Sequence, residues 1–173
     1  MNTPARSSNV PATSVLYDAF GAGSIGGSIV ALFFLALDSV QGRPFFTPSL
    51  MGTVLFTNTA AQAVTEVRMD MVAYYTLVHF AVFAILGGAV AVLLRQVELH
   101  VRHPAIMLVT IFLLAEVLFA VAAGLMMPGV LAVVGAVRIL AANLLGAAGM
   151  ASFLLSTHRP DLWRKVMHTV HLA

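Results

Sequence analysis

Four long, predominantly apolar stretches organise this chain. Ala19 to Leu37 runs without a charge and is closed by Asp38, Gly42 and Pro44; Val72 to Leu94 lies between Asp70 and Arg95. Ala105 to Met127 begins behind Pro104, and Gly129 to Ser156 holds the fourth, with Met127-Pro128-Gly129 as the turn between them. Roughly 20 apolar residues in a helix cross the hydrocarbon core of a bilayer, so the pattern predicts an all-α bundle of four transmembrane helices over residues 19–156. Residues 1–18, with Arg6, several serines and two prolines, read as a polar N-terminal arm that lacks the apolar core of a cleavable signal.

Two shorter patterns flank these spans. Thr47-Pro48 reads as an N-cap followed by proline in a first helical turn, and Leu50, Met51, Val54 and Leu55 then fall on one stripe. A short helix in the first loop is expected there, lying at the membrane surface or capping the bundle. Behind Pro160, Leu162, Trp163, Val166, Met167 and Val170 alternate with Arg164, Lys165, His168 and His171, which predicts an interfacial C-terminal helix over 157–173 anchored by Trp163, Arg164 and Lys165.

Composition agrees with a membrane solvent. Of 173 residues, 60% are hydrophobic and 9% are charged, where a soluble domain needs roughly a quarter charged. Nine Lys and Arg against seven Asp and Glu are too few for a nucleic-acid footprint. Arg6, Arg95, Arg102, Arg159, Arg164 and Lys165 fall on the side of the termini, and Arg43 and Arg68 on the opposite side. By the positive-inside rule both termini are expected in the cytoplasm. Cysteine is absent, so thiolate chemistry and disulfides are excluded.

Few residues suggest chemistry. Gly21 to Gly26 matches G-x-G-x-x-G, but it opens a membrane span and follows no strand, so a dinucleotide site is rejected. Ala19, Gly23, Gly27 and Ala31 recur every four residues and form a small-residue face suited to close helix packing, internal or with another subunit. Glu116 and Arg138 stand eleven residues either side of Met127, so a simple hairpin puts them at equal depth, paired, with Asn143 completing the hydrogen bonding. His79, near Tyr75 and Thr76, is the one histidine within a span; a neutral side chain bonded to a neighbouring helix is expected. A single axial ligand to haem or bacteriochlorophyll is the alternative. His100, His103, His158, His168 and His171 gather at the terminal side with no carboxylate or cysteine pattern to support chelation, and no metal site is expected. Asp38, Arg43, Glu66, Arg68 and Asp70 read as solvated loop charges at the far surface. No nucleophile elbow, zincin motif or acid-base pair is found, so no enzyme is expected.

The stretch from Asp38 to Leu50, DSVQGRPFFTPSL, followed by Tyr74 to Phe80, resembles a group of uncharacterised bacterial multi-pass membrane proteins. The resemblance covers the first half of the chain and implies a bacterial membrane protein; the inner membrane is the expected location. The functional expectation is a noncatalytic accessory subunit of a larger complex, respiratory or photosynthetic, that contacts lipid and other membrane subunits through small-residue faces. A small transporter or proton conductor using Glu116, Arg138 and His79 is one alternative; a cofactor-holding subunit with His79 as ligand is another.

Overall fold

A computed structural model describes residues 12–97 and 104–158, together with Pro160, Trp163 and Arg164. It is an all-α bundle. In chain order the elements are α1 (Ala12–Val40), α2 (Phe46–Thr57), a 3-10 turn (Ala61–Ala63), α3 (Met69–Val97), α4 (Pro104–Met126), α5 (Val130–Val134) and α6 (Ala136–His158). Four of these are long and apolar enough to cross a membrane, over Leu16–Val40, Met69–Leu93, Ala105–Met126 and Ala136–Thr157. The protein is a multi-pass membrane protein.

The helix ends follow local chemistry. At the end of α1, Arg43 N–H reaches the Asp38 carbonyl at 2.9 Å and Gly42 N–H the Ser39 carbonyl at 3.0 Å, a Schellman closure that needs the left-handed conformation Gly42 supplies at φ 73°. Pro104 opens α4, where its missing N–H costs nothing. Two expected boundaries move. Residues 12–18, assigned to the polar arm, form the first turns of α1, and Asp18 is buried there and engaged. The fourth span begins at Ala136, not Gly129, because Gly135 at φ 92° breaks the helix and leaves Val130–Val134 as a separate turn-like piece. Residues 1–11 of the arm, Lys165 and most of the expected C-terminal helix lie outside the described residues, as do His100, His103, His168 and His171.

Packing differs between the two ends of the bundle. α1 lies against both α3 and α6; α4 rests on α6 and meets α3 only slightly. Toward the termini the helices are drawn together by small residues. A Cβ on Gly23 would stand 2.5 Å from the Phe83 carbonyl oxygen, and one on Gly87 would stand 2.6 Å from the Ala19 carbonyl oxygen. Further toward the loops, the rings of Phe80 and Phe83 lie against Gly27, and together with Phe34 they line a space between the helices. α2 covers that end. It is buried from Phe46 to Val54 apart from Pro48, and Leu50 and Ser49 are fully enclosed. It therefore caps the bundle. Gln62 of the same loop lies over Gly129, linking this cap to the turn before α6.

Candidate functional site

The cap is fastened by a carboxylate. Asp38, at the end of α1, is 4% exposed and accepts both the Thr47 backbone N–H, at 2.6 Å, and the Thr47 hydroxyl, at 2.7 Å. An acidic group is favoured there because the first turn of a helix presents unpaired N–H groups and a partial positive charge. Two expectations are corrected by this arrangement. Asp38 is not a solvated loop charge, and Thr47 is not the N-cap, since α2 starts at Phe46 behind a left-handed Phe45. Ser49 ties the other flank by accepting the Arg68 N–H at 2.8 Å. Arg68 and Asp70 do remain at the surface, as an exposed 2.6 Å ion pair, and Arg43 lies 4.0 Å over the Phe46 ring.

The small-residue face of α1 is already occupied. Gly23 backs onto Phe83 and Ala84, Gly27 onto the rings of Phe80 and Phe83, and Ala19 onto Gly87 and Gly88. α3 fills the groove that the sequence left open to another subunit. Ala31 alone of the four is exposed, on the wall of the cavity described below.

Near the middle of the span, His79 Nε2 meets the Gly27 carbonyl at 2.9 Å. A carbonyl only accepts, so Nε2 carries the proton and Nδ1 is left as a bare acceptor. The imidazole is held between the rings of Tyr75, Phe80 and Phe83, at centroid distances of 5.9, 5.4 and 4.8 Å. One nitrogen is thus committed to α1, and three aromatic rings surround the imidazole.

Glu116 and Arg138 do not meet. The Glu116 carboxylate accepts from the Asn143 amide at 2.9 Å, while Arg138 donates to the Val134 carbonyl, one turn back, at 3.5 Å. Equal depth fails because residues 127–135 are spent on a turn and α5. Glu116 therefore lies about 15 Å from the end of α4, whereas Arg138 lies about 3 Å from the start of α6. Arg138 is an exposed charge near the loop end; Asn143, 8% exposed, is the partner at depth.

Between these elements is a cavity of about 350 Å³, within the range of small-molecule sites. Its walls come from the loop-side halves of α1, α3, α4 and α6, and its roof from Phe45, Thr47, Pro48, Met51 and Leu55 at the start of the cap. It is not fully enclosed, and α3 and α4, which both line it, make little contact with one another. Among the described residues no charged side chain lines it. The polar groups on its wall are Thr47, Tyr75, Thr76, His79 and Asn143. Thr76 is satisfied by its own helix, donating to the Val72 carbonyl at 2.7 Å. Sequence reasoning found His79 and Asn143 but not this space, because its walls come from five separate elements whose facing sides the hydrophobic pattern does not record. The chain matches no known protein-family model, no curated protein and no solved structure.

Proposed function

We propose that this protein is a noncatalytic binding subunit of the bacterial inner membrane that admits an apolar molecule from the lipid phase between α3 and α4 and holds it under the α2 cap. The cavity carries the reading: residues of α2 line its loop-side end, no charged side chain among the described residues lines it, and its other walls are helices long and apolar enough to cross a membrane. Its described wall offers hydrogen-bonding groups but no paired acid and base, in keeping with a holding role. Partner subunits of a respiratory or photosynthetic assembly would have to meet α4. Only 17% of its apolar window is buried within the chain, against 50% for α6, and the α1 groove is already filled.

A proton-coupled carrier is the second reading, favoured by a carboxylate at mid-membrane. Against it, Glu116 is bonded to Asn143 and does not line the cavity. Uptake of decylbenzene tests the first reading. Nanodiscs carrying the protein should take up one saturable equivalent beyond empty nanodiscs, and Ala122→Phe, which fills the cavity from α4, should abolish it. Equal uptake by loaded and empty nanodiscs overturns the reading, and proton flux in liposomes that depends on Glu116 puts the carrier in its place.

A further inference from the structure

The walls of the cavity are unusually aromatic for a site meant to hold a hydrocarbon chain. Phe34, Phe45, Tyr75, Phe80, Phe83 and Phe119 all face it. Flat rings favour a flat ring between them, through offset or edge-on stacking. Two polar atoms on the same wall are unspent. Among the described residues the Tyr75 hydroxyl has no hydrogen-bond partner, although its ring is packed against His79. His79 has given Nε2–H to Gly27, so Nδ1 remains with a free lone pair. These residues are one helical turn apart on α3 and present one donor and one acceptor side by side.

Resting on the binding role proposed above, we infer that the occupant is a lipid-soluble quinone or its quinol, held by Tyr75 and His79. A quinone carbonyl accepts from the Tyr75 hydroxyl; the reduced form can instead donate a hydroxyl to His79 Nδ1. Both states are neutral, as an uncharged cavity requires. The bond to Gly27 has a definite role here: it fixes which imidazole nitrogen is left to accept, so the wall keeps one donor and one acceptor and does not present two donors. A phospholipid fits poorly, since its polar head belongs at the membrane surface, whereas these two groups lie beneath the α2 roof. No electron transfer is implied; the site binds.

The test compares decylbenzoquinone with decylbenzene, which has the same tail and a ring without oxygens. Binding is measured in nanodiscs with the full chain. The quinone should bind at least tenfold more tightly than decylbenzene. Tyr75→Phe should weaken quinone binding about fivefold and leave decylbenzene unchanged, a readout that a folding defect would not produce. Ala122→Phe should remove both. If the two probes bind equally, or if Tyr75→Phe lowers both alike, the quinone assignment is overturned and a plain hydrocarbon site remains. If neither binds beyond empty nanodiscs, the cavity reading fails along with it.

Discussion

Glu116 shows how a single hydrogen bond determines what a substitution does. Its carboxylate oxygen accepts from Asn143, so Glu116→Gln, which keeps a carbonyl oxygen in that place, should change stability little. Glu116→Leu leaves a buried amide without an acceptor and should cost about 1–3 kcal/mol. Arg138→Ala should be close to neutral, because the exposed guanidinium gives up a long bond of 3.5 Å to the Val134 carbonyl at the end of α5. Reversible unfolding in mixed micelles distinguishes these cases; equal losses for Glu116→Leu and Arg138→Ala would restore the direct pair. The opposite sign is expected at Thr53. Its hydroxyl is buried in the cap with no partner among the described residues, so Thr53→Val should be neutral or stabilise the protein by about 1 kcal/mol. Residue chemistry was legible in the sequence only in part. Composition alone marks a carboxylate and a guanidinium in hydrocarbon as needing partners, and Asn143 was named beside them. Which partner each finds depends on where α6 starts, and Gly135 sets that through a backbone angle that no hydrophobic pattern records.

Elements were far easier to read than their faces. Each long apolar run became a helix, since hydrocarbon leaves the backbone no other way to satisfy its N–H and carbonyl groups. The short helix of the first loop was also legible, from its proline and its stripe. Its cap was not, because the capping carboxylate comes from Asp38, nine residues upstream and across a turn. Asp38→Ala should therefore loosen α2 by about 0.5–2 kcal/mol, and Asp38→Asn by less. Hydrogen exchange that quickens in residues 46–54 and spares α1 and α3 is the expected signature; uniform exchange would mean that the cap is held by apolar packing alone. The periodic glycines of α1 point to a close contact and leave its partner undetermined. With α3 as the partner, Gly23→Val forces a side chain onto the Phe83 backbone and should cost about 1–3 kcal/mol or prevent folding. Gly124→Ala meets open space in α4 and should be neutral or gain up to about 1 kcal/mol. If Gly23→Val folds normally and merely releases a bound protein, the groove serves another subunit after all.

The orientation expected of the whole molecule rests on a quantity that is entirely sequential, the charge count outside the hydrocarbon, whereas its cavity does not. The cavity lies among side chains of α1, α2, α3, α4 and α6, which meet only once the helices are assembled. Charge bias needs no such assembly. With Arg138 now placed near the loop end, Lys and Arg divide six to three between the terminal side and the loop side. Moving these charges across the membrane is unfavourable, so the richer side is expected in the cytoplasm. With four spans, the prediction is that both termini lie there and that the α2 cap and the roof of the cavity face outward. A cytoplasm-dependent fluorescent reporter should thus be active at either end of the chain, and a periplasm-dependent phosphatase inserted after Thr59, in the exposed loop beyond α2, should be active in turn. The six-to-three margin is narrow enough to be tested by reversal. Replacing Arg95, Arg102 and Arg159 with glutamine, while adding three lysines between Asn58 and Glu66, leaves three positive charges at the termini and six at the loops. Inversion of a substantial fraction of molecules is then expected, read as loss of both reporter signals. If the altered chain keeps its orientation, the direction is fixed by something other than charge, such as the insertion of α1 with its polar N-terminal segment, and the outward placement of the cap would need evidence of another kind.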